Sequence, residues 1–265
     1  MTDRRPGSRF SDAWLCWGGL GLTALLLLFS FPPLGHPFVA FFALIPAALA
    51  AAAAPNSQMK LAWSDEFNTP EIDATKWNVH NSVTIKDGKA NLNLTPGKEA
   101  GLWGSSTLNS ARKFSQVSGY FEASVRMLQT KGRSGRFEVR NTSLDEPPSA
   151  RLFFDGHGDD VIVPGAQVAD NTGLRMLKPI KHGIEFDAGA SYKKFHTYGV
   201  LWTPKYFEWY VDGKKVHRLE QKGTPTTPMY VEFCHHTAEG GKVKDFMDPT
   251  NGPEPLQIDW VKVWK

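Results

Sequence analysis

Three segments of this chain hold the side chains with the widest chemical scope. Arg136-Phe137-Glu138-Val139-Arg140 alternates charge with apolar bulk at the period of a β-strand. Arg136, Glu138 and Arg140 therefore share one face, and Phe137 and Val139 the other. Guanidinium groups in a row suit planar, two-point recognition of carboxylates; the plainer alternative is that they only neutralise Glu138. Asp155-Gly156-His157-Gly158-Asp159-Asp160 and His235-His236 bring imidazole and carboxylate, which together suit zinc or another transition metal. The first reads equally as a Gly-rich turn between strands, and adjacent His235 and His236 point to opposite faces of a strand, so only one of them enters a shared site. A turn plus a single site-facing histidine is the favoured reading. The two cysteines are Cys16, in an apolar stretch, and Cys234. No intradomain disulfide is expected, and Cys234 reads as a buried strand residue rather than a nucleophile.

Such faces need a β-framework to hold them. From Pro55 onward the chain is polar and rich in Gly, Pro, Thr and aromatics, with short strand candidates at 83–85, 90–94, 119–127, 136–141, 150–155, 161–163, 195–202, 206–211, 229–234 and 256–263. Turn signals such as Lys86-Asp87-Gly88 and Asp212-Gly213 separate them, and helical periodicity is nearly absent. The spacing predicts one all-β domain over 56–265, a sandwich or barrel. With 265 residues, 41% of them hydrophobic, the chain has the means for one large core. A net charge of +3 gives no reason to expect a nucleic-acid partner, which demands a concentrated basic stripe.

The first fifty-odd residues stand apart. Arg4, Arg5 and Arg9 precede an apolar run over 13–31, long enough as a helix to cross most of a bilayer. Pro32-Pro33 breaks it, and a second run over 38–54 ends in an alanine tract before Pro55-Asn56-Ser57. Three topologies fit: a long cleaved signal peptide, an uncleaved anchor with the domain outside, or a helical hairpin that leaves the domain in the cytoplasm. The alanine-rich end resembles a small-residue cleavage site, which favours export. Residues 1–55 are thus expected to be a signal peptide or membrane anchor, and the domain periplasmic, extracellular or membrane-anchored.

Several phrases, in order, resemble glycoside hydrolase family 16, the laminarinase, lichenase and agarase group. They are Trp63-Ser64-Asp65-Glu66-Phe67-Asn68 with Asp73 and Lys76-Trp77, then Gly119-Tyr120-Phe121-Glu122-Ala123, then Phe195-His196-Thr197-Tyr198. Leu201-Trp202-Thr203-Pro204, Trp209-Tyr210-Val211-Asp212-Gly213 and Ile258-Asp259-Trp260-Val261-Lys262-Val263-Trp264 complete the set. The resemblance implies a concanavalin-like jelly-roll sandwich of two curved antiparallel sheets with a glycan cleft on the concave face. It also implies a structural calcium near the first and last strands, with Asp259 as the matching carboxylate, and no other cofactor. Trp77, Trp202 and Trp260 are expected in the core.

Active members resembling this chain carry Glu-x-Asp-x-Glu on one strand, which aims three carboxylates into the cleft. A retaining mechanism needs the outer two roughly 5–5.5 Å apart, one ionised to attack and one protonated to donate. The family's spacing from the Phe121-Glu122 strand lands on Arg151-Leu152-Phe153-Phe154-Asp155, so Arg151 stands for the nucleophile, Phe153 for the central Asp and Asp155 for the acid/base. Asp155 is one methylene short, and a nearby Arg151 favours its ionised form, the opposite of what a general acid needs. Gly183-Ile184-Glu185-Phe186-Asp187 also contains Glu-x-Asp, but it sits where relatives carry a similar phrase without a catalytic role. If activity persists, Asp155 and Glu138 are the catalytic candidates, although a cross-strand salt bridge from Glu138 to an arginine is the more natural use of that side chain. The implied glycan contacts are Arg136, Arg140, Arg151, Phe153, His235, His236 and Trp103. Two classes of function follow. One is a polysaccharide-binding domain without retaining hydrolysis, its ligand anionic if the arginines serve recognition. The other is an endo-acting glycosidase or lyase with an atypical catalytic set.

Overall fold

The computed structural model describes residues 55–98, 103–128, 133–141, 149–156, 161–170, 173–177, 184–185, 193–220, 227–237 and 254–265. The N-terminal apolar runs, Cys16, the 157–160 turn and Phe186-Asp187 lie outside them. Ala54–Lys265 forms one compact unit.

In chain order the strands are β1 (Leu61–Asp65), β2 (Asn78–His80), β3 (Ser82–Lys86), β4 (Lys89–Asn93), β5 (Thr95–Pro96), β6 (Trp103–Gly104), β7 (Ser106–Asn109), β8 (Gly119–Arg126) and β9 (Arg133–Arg140). They continue as β10 (Ser149–Gly156), β11 (Val161–Asp170), β12 (Gly173–Leu177), β13 (Ile184–Glu185), β14 (His196–Trp202), β15 (Tyr206–Val211), β16 (Lys214–Glu220), β17 (Tyr230–Thr237) and β18 (Leu256–Trp264). Two eight-stranded antiparallel sheets result. The outer one runs β16-β15-β14-β8-β18-β4-β3, with β1 also on β18; the inner one runs β12-β11-β10-β9-β17-β7-β2, with β13 also on β11. This is the all-β sandwich that the turn spacing predicts. The Asp-Gly signals act as expected: Asp87 and Gly88 have φ of 53° and 67°, Asp212 and Gly213 of 49° and 72°. Two successive left-handed residues make the tight turn whose twist matches the flanking strands, and they close the β3–β4 and β15–β16 hairpins.

Alternation decides what the layers bury. Phe121, Ala123 and Val125 of β8 and Tyr198, Val200 and Trp202 of β14 meet Phe137 and Val139 of β9, Leu152 and Phe154 of β10, and Val231 and Phe233 of β17. Each is essentially removed from water, and burying a Val, Leu or Phe side chain contributes about 1.5–3 kcal/mol. Phe137 stacks between Phe154 (6.4 Å) and Phe233 (5.4 Å), and Phe154 reaches Tyr198 of the outer sheet at 5.2 Å. Asp65 anchors the start of the sandwich: Oδ2 accepts from Trp77 Nε1 at 2.7 Å and Oδ1 from the Phe67 amide at 3.0 Å.

Trp77 and Trp202 lie in the core as expected, but Trp260 does not. The register of β18 on β8 shifts between Ile258 and Trp260. Such an irregularity turns two consecutive residues, Asp259 and Trp260, to the outer surface before Val261 resumes burial. Trp260 is half-exposed, with Lys262 Nζ 4.9 Å from its ring centroid.

Candidate functional site

The face of the inner sheet turned away from the core is built in rows, because antiparallel register sets one residue of each strand beside the next. One row reads Tyr230, Arg140, Arg151, Gln167 across β17, β9, β10 and β11. The next reads Asn78, Asn109, Glu232, Glu138, Phe153, Gly165 from β2 to β11. The third reads His80, Thr107, Cys234, Arg136, Asp155, Val163. Arg151, Phe153 and Asp155 thus take successive outward positions on β10, as alternation predicts. Phe153, Asp155, Glu232 and Glu138 are buried even though they face away from the core, so neighbouring side chains shield this floor from solvent.

Charge on this floor is tightly paired. Glu138, with no exposure, accepts from Arg136 Nη1 at 3.1 Å and from Arg151 Nε at 2.6 Å, and lies 3.9 Å from Arg140 Nη1. Asp155 accepts from Arg136 Nη2 and from Ser134 Oγ. Arg140 Nη1 donates to Glu232 at 3.0 Å. Three guanidinium groups therefore meet three carboxylates, and the floor is neutral when all are ionised. Burial works against the charge on Arg136, but Asp155 and Glu138 beside it raise its pKa overall. Arg140 behaves alike, with Glu232 as its main carboxylate. Burial pushes the Glu232 carboxyl above its ordinary range, and Glu138 directly opposite adds to this while Arg140 partly offsets it. Burial likewise pushes the Cys234 thiol up, which keeps it protonated and a poor nucleophile.

Phe153 supplies the apolar part of the floor. Its ring lies over Gly165, where an added Cβ would come within 2.7 Å of Cζ, and the Arg136 guanidinium carbon stands 5.6 Å from the ring centroid. Gly165 is thus the small residue that makes room for an aromatic ring at the centre of the face.

Residues 180–262 match the family model described as glycosyl hydrolases family 16. Over that stretch the chain is similar to family 16. A beta-glucanase of Acetivibrio thermocellus is 37% identical over 144 residues, covering 54% of this chain and 40% of that protein. An endo-1,3-1,4-beta-glycanase of Rhizobium meliloti is 26% identical over 191 residues, covering 69% of this chain and 40% of that protein. The chain spans less than half the length of these curated relatives. Among solved structures, the laminarinase catalytic domain from Thermotoga maritima superposes with a TM-score of 0.64 at 16% identity, covering 78% of this chain and 98% of that one. At that identity the likeness establishes the fold.

Within the sandwich the structure gathers Arg136, Glu138, Arg140, Arg151, Phe153 and Asp155 on one floor. Two expectations are corrected. His235 is not a floor residue: it alternates with Cys234 and Glu232, lies fully buried between the sheets, and donates from Nδ1 to the Leu92 carbonyl of the outer sheet at 2.8 Å. His236 takes the opposite face of β17, beside Ser134 of β9. The arginine on Asp155 is Arg136 and not Arg151, because the register sets Arg136 opposite Asp155 and Arg151 opposite Arg140. Cys234 faces the floor, half-buried, with Sγ 3.4 Å from Thr107 Oγ1. Asp259 lies 3.7 Å from Lys89 Nζ, and among the described residues no three His, Cys, Asp or Glu side chains gather. Trp103 is half-buried on β6, in a separate two-stranded sheet with β5. Of the discounted Glu185 phrase, Ile184–Glu185 forms β13 at the side of β11.

Sequence reasoning missed Glu232, Ser134 and Gln167. The signal for Glu232 was present, since Val231 and Phe233 are apolar neighbours that force it to the other face.

Proposed function

We propose that this family 16 domain binds a polysaccharide and does not hydrolyse it by the retaining route. One observation carries this reading: a single guanidinium, Arg136, bonds Glu138 and Asp155 together, while Arg151 takes the other oxygen of Glu138. Retaining hydrolysis requires one carboxylate free to attack and a second that holds a proton. Here each carboxylate near the β10 strand is already an acceptor for arginine. The ligand favoured is an acidic polysaccharide, since three guanidinium groups line the floor and arginine suits planar carboxylates. The relatives named beta-glucanase and laminarinase support a polymeric glycan as the class of ligand.

Export completes the proposal. Three arginines before the first apolar run and the alanine tract at 47–54 support a signal peptide or anchor that puts the domain in the envelope or outside the cell. A reporter active only outside the cytoplasm, fused after Lys265, is expected to give signal. Silence there with a working cytoplasmic reporter would establish the hairpin topology.

A second reading rests on Glu232. A buried carboxyl held above its usual range is what a general acid requires, and an endo-acting hydrolase or lyase using Glu232 with Glu138 or Asp155 follows from it. A polysaccharide array assayed for both retention and new reducing ends separates the two. Retention without new ends is expected; turnover abolished by Glu232→Gln or Asp155→Asn would replace the binding reading with the catalytic one.

A further inference from the structure

Arg140 and Arg151 are directly opposite each other in the outermost charged row, flanked by Tyr230 and Gln167. Two like charges so placed repel unless an anion lies between them. Glu138 supplies part of that charge from the row beneath, through Arg151 Nε at 2.6 Å. Arg140 is held differently. Among the described residues its short bond is to Glu232 across the β9–β17 pair, at 3.0 Å, and its buried Nε–H has no acceptor there. Arg151 Nη1 meets Gln167 at a marginal 3.5 Å. Among the described residues most N–H donors of this pair are thus uncommitted, whereas Arg136 is fixed at both terminal nitrogens by Glu138 and Asp155.

Resting on the polysaccharide-binding reading, we propose that Arg140 and Arg151 form the seat for a ligand carboxylate, and that Glu232 is an internal occupant of this seat which the ligand displaces with uptake of a proton.

The groups around Glu232 support the coupling. Glu138 is directly opposite on β9, Arg140 and Arg136 flank it there, Arg151 lies beyond on β10, Tyr230 and Cys234 flank it on its own strand, and uncharged Asn109 faces it from β7. Arg140, with a smaller share from Arg151, steadies the ionised form against burial and against Glu138. A uronate that takes the Arg140 Nη donors leaves Glu232 buried beside Glu138 with that support shared, and its carboxylate gains a proton from solvent. No covalent bond changes. Binding is therefore linked to proton uptake, and affinity rises as pH falls while the uronate, an ordinary carboxylic acid, is still ionised.

The test uses the purified full-length protein with polygalacturonate and, in parallel, a neutral β-1,3-glucan, at pH 8 to 5 and fixed salt. Polygalacturonate is expected to bind more tightly toward pH 5 and to take up protons in calorimetry run in buffers of different ionisation enthalpy. Arg140→Gln and Arg151→Gln should each weaken it about tenfold or more, the loss of one charge-assisted contact. Glu232→Gln should tighten binding at pH 8 and flatten the pH dependence. The seat is wrong if polygalacturonate binds with pH-independent affinity that Arg140→Gln and Glu232→Gln leave unchanged. Failure of the wild-type protein to retain either polymer would instead remove the underlying binding reading.

Discussion

Acid should destabilise this domain through one histidine. His235 is fully buried, its Nδ1–H is committed to the Leu92 carbonyl, and its Nε2 is buried without a partner. Protonation would place a charge on Nε2 inside the core. Burial drives the pKa down from 6.5 to about 4, partly offset by the Leu92 carbonyl and reinforced by Arg133 and His236. Between those values the unfolded chain binds a proton that the folded chain refuses, so stability falls as pH drops from about 6.5 to about 4 and is unaffected by this group above that window. A drop from 6.5 to about 4 corresponds to about 3 kcal/mol at most, a large share of the stability of a single domain. His235→Asn is the informative change, because its side-chain amide keeps a donor where Nδ1–H stood and does not titrate. Urea denaturation followed by tryptophan fluorescence at pH 7.5, 6, 5 and 4 measures the effect, and the difference between the two proteins cancels carboxylate titrations common to both. The variant is expected to be less stable at pH 7.5, having lost ring volume, and to gain about 3 kcal/mol on the wild type by pH 4. Parallel stability profiles would refute the buried neutral imidazole.

Glu138→Gln strips the charge that Arg136 and Arg151 share, and breaking a buried pair costs about 3–5 kcal/mol; Glu220→Gln, which pairs with exposed Arg218, should leave the urea midpoint nearly unchanged. Asp65→Ala leaves the Trp77 indole N–H without its acceptor and should cost about 1–3 kcal/mol in the same assay. Alkylation of Cys234 at pH 8, followed by peptide mass spectrometry, should be much slower in the folded protein than in the urea-unfolded chain, since the raised pKa leaves little thiolate; equal rates would contradict the floor described for β17.

Much of the framework was legible because it depends on local rules. Asp87-Gly88 and Asp212-Gly213 announce tight hairpins whatever surrounds them, and the two-residue period of 136–140 and 151–155 sorts floor from core without knowledge of neighbours. The errors fall where a long-range or irregular feature decides. Trp260 was misplaced because the slip after Ile258 adds one residue to a face and leaves no mark in composition. His235 was assigned to the glycan contacts although the alternation rule allowed only one histidine of the pair there. The partner of Asp155 was misassigned because pairing depends on register, which a single sequence does not state. Register also carries the functional argument. In the observed pairing Arg136 is opposite Asp155 and Phe153 is opposite Glu138. A slip of two residues between β9 and β10 would keep every side chain on its face, yet would set Glu138 against Asp155, two carboxylates side by side of the sort a glycosidase uses. The same residues on the same face thus make either a charge-paired floor or a carboxylate pair, and the cross-strand pairing of the two strands selects the former.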